Sequence, residues 1–583
     1  MGWRGAVADL RKDAGQSQAF DSAGNCVVLA GPGSGKTQTL SMKVARLLDE
    51  EVRLPRRIAV VTYSNGCVNE IRARLRKLGV ADDRRVEVAT VHGFCLTELI
   101  IPFAHLAGVD VPNPLAVAST GQRRQLMNDA YRAVQGEGAL PGWFETASSA
   151  LRMSTPDRAS VDWQGDGSRE RRFIDEYERR LHAAGLIDFD GMVLAGLHLI
   201  EQFEWVRQVV LAKFPILVVD EYQDLGVSLH RMVRALMERA AVRVIAVGDP
   251  DQAIFGFTGA RPELLLELAA LPGVELVRLT NNYRCAPAII NASSAVLGRR
   301  FRTGNAAGVV VAHAVPPDID TQVARALDII VPALLEGHAD WAPGDIAFVY
   351  RSYREGNAVA AGADARGIAY SRFDNGSPIR RTRLLDWMGL VARWCVTPLG
   401  RSDATIHDLS TALLRLMGVS SESVAGRTLQ EKFLGFLFKG RNPGMLLRKW
   451  VGGMQKIFLA ESLAQRPDLV DEAKAVEDLQ QACRDGNPLD AFTVEMLAMQ
   501  GRDPDRLYLT SLHSAKGLEF NAVIMVGVED GAFPHYRADD KGVAEDRRLF
   551  YVGVTRARHE VHLMYSRTAS PFLVDLRERG AVA

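Results

Sequence analysis

The chain is poor in cysteine, and its six thiols, Cys26, Cys67, Cys95, Cys285, Cys395 and Cys483, stand singly with no C-x-x-C pair. The histidines are not clustered either, so neither a zinc site nor an iron–sulfur cluster is predicted, and a reducing cytoplasm fits this usage. Long hydrophobic runs are also missing. No stretch approaches the roughly 18 apolar residues that span a bilayer, and the first residues, MGWRGAVADLRKDAGQ, lack an apolar core. Neither membrane insertion nor export is expected. Charge of one sign is absent as well: Lys plus Arg and Asp plus Glu each total 70. The chain therefore has no global positive field, and any contact with nucleic acid must come from a local groove. There is no internal repeat and no low-complexity tract. What is present is a 583-residue sequence, 47% hydrophobic and 24% charged, long enough to bury several cores and to divide into three or four domains.

From Cys26 the chain reads CVVLAGPGSGKTQTLSMKVARLL: a β-branched run, a glycine-rich turn, then apolar residues at helical spacing. The turn fits the phosphate-loop pattern, with Ala30 in place of the first glycine. Backbone N–H groups of Gly33, Ser34 and Gly35 at a helix N-terminus suit phosphate oxygens. Lys36 is placed to reach the terminal phosphates and Thr37 to hold magnesium. An ordinary glycine turn in an α/β protein is the bland alternative.

At FPILVVDEYQD a second apolar run ends on Asp220 and Glu221, which delivers two adjacent carboxylates to the carboxyl edge of a parallel sheet. Asp220 suits a magnesium ion and Glu221 suits an attacking water, although two acids can also simply cap a strand end. A third run, VRVIAVGDP, leads to Gln252, placed to sense a γ-phosphate. Phe255 and Phe257 follow at strand spacing and suit either base stacking or core packing.

In this order the motifs resemble those of the UvrD/Rep family of superfamily 1 DNA helicases, from about Gln16 to Ser566. QSQAF at Gln16 is similar to the family's adenine-reading glutamine motif, VVTYSNGCVNEIRARL to motif Ia and TVHGFC to motif Ib. In LTNNYRCAPAIINAS, the resemblance places Tyr283 against adenine and Arg284 at the γ-phosphate. YLTSLHSAKGLEF is similar to motif V, with Glu519 at the ribose, and DRRLFYVGVTRAR to motif VI, with Arg556 as the second arginine finger. The resemblance implies an α/β fold of two RecA-like parallel-sheet cores, each interrupted by a mostly helical insertion. ATP and Mg2+ would be used in the cleft between the cores. It implies a 3′ to 5′ motor on single-stranded DNA that acts at single/double-strand junctions. The implied single-strand contacts are Thr62, Tyr63, His92, Phe255, Phe257 and His513.

The resemblance divides the chain into a first core at 1–95 and 196–282, a helical insertion at 96–195, a second core at 283–380 and 507–583, and a second insertion at 381–506. That second insertion is shorter than is usual in the family and also resembles the compact UvrD-like partners of phage-defence systems such as Gabija. A DNA-stimulated ATPase that serves as a sensor or translocating subunit of a larger complex therefore stands as the alternative function. The basic run from Lys432 to Lys456, which contains no acidic residue, is a candidate grip on duplex phosphates or a solvated face. The sequence departs from the family pattern at Gly66, Phe257, Thr258 and Gln38, where lysine, tryptophan, arginine and arginine are usual. These departures touch the DNA track and the base pocket more than the phosphate chemistry.

Overall fold

The computed structural model describes residues 3–80, 84–165, 167–299, 307–374, 382–398, 404–464, 466, 469–487, 489–498 and 504–582. The chain divides into two compact units, Met1–Arg284 and Cys285–Ala583.

In the first unit, six β-branched runs form an all-parallel sheet: β1 (Asn25–Ala30), β2 (Ile58–Thr62), β3 (Val86–Thr90), β4 (Ile216–Val219), β5 (Arg243–Gly248) and β6 (Val274–Leu279). Their order is β3-β2-β4-β5-β1-β6. Helices cover both faces, so the central strands are buried on both sides and read as nearly continuous apolar runs. All six strands point the same way, so the segments that follow them all emerge along one carboxyl edge.

Between β3 and β4 the chain is helical. Helices around Leu99, Ile100, Met192 and Leu197 pack into the core of the sheet, whereas Met127, Phe144, Trp163, Phe173 and Tyr177 form a separate core. An ion-pair network lies at the return from this helical segment. Arg152, which is 5% exposed, pairs with Glu178 at 2.7 Å and with Asp188 at 2.7 Å. Tyr177 donates to the same Asp188 carboxylate at 3.0 Å. The other oxygen of Asp188 caps helix Phe189–Gln202 by accepting from the Gly191 N–H at 2.8 Å. This fixes where Phe189 leaves the network.

The second unit holds another six-stranded parallel sheet: β7 (Val309–Ala314), β8 (Ile346–Tyr350), β9 (Tyr370–Arg372), β10 (Leu507–Ser511), β11 (Phe520–Met525) and β12 (Ala557–Tyr565). Their order is β7-β12-β11-β8-β10-β9. The helices between β9 and β10 share one core that includes Trp387, Phe433, Trp450 and Phe458. No described helix is long and apolar enough to cross a membrane.

The basic run is not a single face. It spans the end of helix Val424–Lys439 and all of helix Leu447–Met454. Lys432 pairs with Glu461 and Arg448 with Asp485. Arg441 donates to the carbonyl oxygens of Cys395 and Thr397 while lying over the Trp394 ring. Half of the basic side chains of the run are thus engaged within the fold.

Candidate nucleotide site and aromatic track

The glycine turn after β1 has the backbone that its sequence implies. Gly33 and Gly35 lie at φ 70° and 80°, the left-handed region that favours glycine, and helix Lys36–Glu50 starts directly after them. Space is tight at both positions, most of all at Gly33. A Cβ on Gly33 would stand 2.3 Å from Asn282 Oδ1, and one on Gly35 would stand 2.6 Å from Gln16 Nε2. The Tyr283 N–H donates to the Gly33 carbonyl at 2.8 Å, so the Asn281–Arg284 segment after β6 lies directly on the loop.

The ammonium of Lys36 forms an ion pair with Glu221. Burial opposes its charge, but Glu221 and Asp220 overcome that and hold the ammonium above its usual range. Asp220 is buried at the end of β4, where desolvation pushes its carboxyl up against the pull of Lys36. Glu221 follows at φ 55°, and Ala241 is the only other non-glycine residue with positive φ among the described residues. A left-handed side-chain-bearing residue costs about 1 kcal/mol, and such strain gathers at working sites. Here it turns the carboxylate out of the strand line toward Lys36.

Gln223 and Asp249, which the sequence reading assigned no role, organise this edge. Gln223 is fully buried and donates to Glu221, while its Oε1 accepts from the Asp249 N–H at 3.0 Å. The carboxyl of Asp249 is pushed up to about 6 by burial, and it accepts from Gln252 Nε2 at 2.6 Å. Gln252 is thereby fixed one short turn beyond β5.

Gln16 lies on helix Ala14–Asp21, its amide donating to the Ser34 carbonyl at 2.9 Å. Asp13 caps this helix through the Gln16 N–H at 2.8 Å, and its other oxygen accepts from the Tyr283 hydroxyl at 2.6 Å and from Asn281 at 2.8 Å. The far end of the helix is held by Lys43, whose ammonium donates to the carbonyls of Ala19 and Ser22 at 2.8 and 2.7 Å. Burial pulls the Lys43 ammonium down to about 8. Thr37 opens the phosphate-loop helix beside Lys36, and Arg284 follows Tyr283 with its N–H donating to Asn282 Oδ1 at 2.9 Å.

The ends of β2, β3 and β5 carry aromatic rings. Tyr63 stacks on Phe255 with centroids 6.2 Å apart and planes 19° apart, and meets His92 edge-on at 6.4 Å. Phe189, half exposed, continues the line against His92 at 5.3 Å. Burial lowers the pKa of His92, which favours the neutral ring. Sequence reading missed Phe189, although an exposed aromatic just after a helix-capping aspartate is a visible signal. Two expectations need correcting. Phe255 and the backbone of Phe257 lie in a loop and a short 3-10 turn, not on a strand, because the chain turns at Gly256. Thr62 is fully buried, since both faces of β2 are covered, so its side chain is not on the surface. The side chain of Phe257 lies outside the described residues.

In the second unit, Glu519 and Arg556 stand at the starts of β11 and β12, which pair from Phe520 to Ala557. Arg556 is 1% exposed and donates to the carbonyls of Val552 and Leu518 at 3.0 and 3.1 Å, while Glu519 forms an ion pair with Arg558. His513 follows β10, where burial and then Arg351 lower its pKa. Arg351 is itself held by Asp546 at 2.8 Å.

The first unit thus has a phosphate loop, two carboxylates, a glutamine and an aromatic line along one sheet edge. Comparison with known families agrees with this reading. Residues 11–271 match the UvrD/REP helicase N-terminal domain, and residues 479–568 match the UvrD-like helicase C-terminal domain. The ATP-dependent DNA helicase Rep of Salmonella typhimurium is 25% identical over 95% of this chain and 90% of its own length. The ATP-dependent DNA helicases UvrD1 and UvrD2 of Mycobacterium tuberculosis are 26% and 27% identical, each over 94% of this chain and over 81% and 77% of their own lengths. With two matched domains in the family's order, relatives aligned along nearly the whole chain and the phosphate-loop geometry in place, the chain belongs to the UvrD/Rep family of helicases.

Proposed function

We propose that this chain is an ATP-driven DNA helicase that moves 3′ to 5′ on single-stranded DNA and opens duplex at single/double-strand junctions in the cytoplasm. The observation that carries the reading is the shared carboxyl edge of the first sheet. Phosphate-binding and water-activating groups follow β1, β4 and β5, while base-sized aromatic faces follow β2, β3 and β5 on that same edge.

The residues present fit a magnesium ion. Asp220 is a desolvated carboxylate whose charge a dication would stabilise, and Thr37 offers a hydroxyl in the first turn after the loop. When bound, magnesium would neutralise charge on the phosphates. The chain's own groups do the rest. Lys36 exchanges Glu221 for phosphate oxygens, which frees the Glu221 carboxylate to accept a proton from the attacking water while Gln223 keeps it oriented. Gln252, Arg284 and Arg556 are the proposed contacts of the γ-phosphate, and Gln16, Tyr283 and Glu519 those of the nucleoside. On DNA, Tyr63, Phe255, His92 and Phe189 offer stacking faces, with Phe257 and His513 as further contacts.

The test is ATP hydrolysis by wild type and Lys36→Ala, each with and without single-stranded DNA and matched RNA. Hydrolysis stimulated by DNA and abolished in the variant supports the proposal. A rate that is indifferent to DNA, or that rises only with RNA, overturns it.

A further inference from the structure

We propose that Asp13 is a positioning residue that locks Gln16 and Tyr283 into one adenine-reading unit and so sets the preference for adenine nucleotides. This deepens the reading above and rests on it.

One carboxylate serves two elements far apart in sequence. Its Oδ1 accepts from the Gln16 N–H at 2.8 Å and fixes the start of helix Ala14–Asp21. Its Oδ2 accepts from the Tyr283 hydroxyl at 2.6 Å and from Asn281 Nδ2 at 2.8 Å. Tyr283 is 62% exposed, so its ring face is open to a planar ligand while its hydroxyl is tethered. An exposed aromatic side chain would otherwise sample several rotamers, and each has to be given up when a base stacks.

The helix itself is tightly seated. Lys43, on the phosphate-loop helix, holds the far end of helix Ala14–Asp21 by its carbonyls. A Cβ on Gly15 would stand 2.5 Å from the Arg278 carbonyl, so the capped end rests against β6. The Gln16 amide donates from Nε2 to the Ser34 carbonyl, which commits the donor and leaves Oε1 as its acceptor. An acceptor favours the exocyclic amine of adenine and opposes the exocyclic carbonyl of guanine. Gln38 offers no planar cation from the neighbouring helix, so the tethered Tyr283 ring bears the stacking.

A mere helix cap predicts something different. Asn at position 13 retains an oxygen for the Gln16 N–H but loses the second acceptor, so Asp13→Asn separates capping from tethering. Tyr283→Phe keeps the ring and removes the same tether from the other side. Hydrolysis at saturating single-stranded DNA is measured with ATP and with GTP for wild type, both single variants and the double variant. In parallel, binding of a fluorescent N-methylanthraniloyl-ATP is titrated. Each single variant is expected to raise KM for ATP by roughly tenfold with kcat changed by less than about twofold. KM for GTP should hardly move, so the ATP preference shrinks, and the double variant should be no worse than either single one.

Wild-type KM and ATP/GTP ratio in Asp13→Asn, or independent additive losses in the double variant, overturn the proposal. If wild type hydrolyses nothing with DNA present, the motor reading fails. The binding titration then still decides the role of Asp13: unchanged affinity in Asp13→Asn refutes it.

Discussion

Replacing Glu221 with glutamine should move two quantities in opposite directions. In the structure the Glu221 carboxylate holds the Lys36 ammonium, with both side chains less than one-fifth exposed. A triphosphate has to win Lys36 away from that carboxylate. A hydrogen bond to a charged group contributes about 1.5–3 kcal/mol, so neutralising Glu221 should tighten ATP binding by about tenfold at the lower end of that range. The same change removes the group proposed to take the proton from water, and turnover should fall by about 100- to 10,000-fold. Equilibrium binding of ATP and steady-state hydrolysis at saturating single-stranded DNA measure the two effects separately. If Glu221→Gln, with an unchanged melting temperature, binds ATP no more tightly than wild type, Glu221 does not compete with phosphate for Lys36. If turnover persists, Glu221 does not take the proton from water.

Three further outcomes follow from the packing. Both glycines lie in the left-handed region, but Gly33→Ala should abolish ATP binding because its Cβ meets Asn282 and the Cβ of Arg284, whereas Gly35→Ala should weaken it less because the displaced atom is the end of the Gln16 side chain; ATP titration of both variants ranks them. Arg152→Met should destabilise the first unit by about 3–5 kcal/mol by leaving Asp188 buried without its cation, read as a lower denaturant midpoint. Phe189→Ala should weaken single-stranded DNA binding by about 1–3 kcal/mol and raise the DNA concentration needed for half-maximal stimulation, while hydrolysis without DNA is unaffected.

The parts that were legible in sequence are those in which chemistry and local structure coincide. The β1 strand, its glycine turn and the Lys36 helix are contiguous, so the spacing of Gly33, Gly35 and Lys36 declares both shape and ligand. Asp220 and Glu221 end an apolar strand for the same reason. What stayed hidden depends on strand order. Asp13 meets Tyr283 because β6 lies beside β1, and Gln223 meets Asp249 because β5 lies beside β4. Neither neighbour relation is written in local spacing. Phe255 and Phe257 misled because a two-residue period also arises in a turn, where Gly256 ends the extended run. In the Lys432–Lys456 run, the acids that pair with Lys432 and Arg448, Glu461 and Asp485, lie beyond the run in sequence, so the run alone does not show them.

Hydrolysis is proposed to drive directed movement that separates strands. The decisive measurement is ATP-dependent strand displacement on duplexes that carry either a 3′ or a 5′ single-stranded tail. Displacement is expected from the 3′-tailed duplex alone, and is expected to be lost in Glu221→Gln and in Arg556→Ala. Displacement from the 5′ tail would contradict the direction. DNA-stimulated hydrolysis with no displacement from either tail would contradict the helicase itself and leave a translocating sensor in its place.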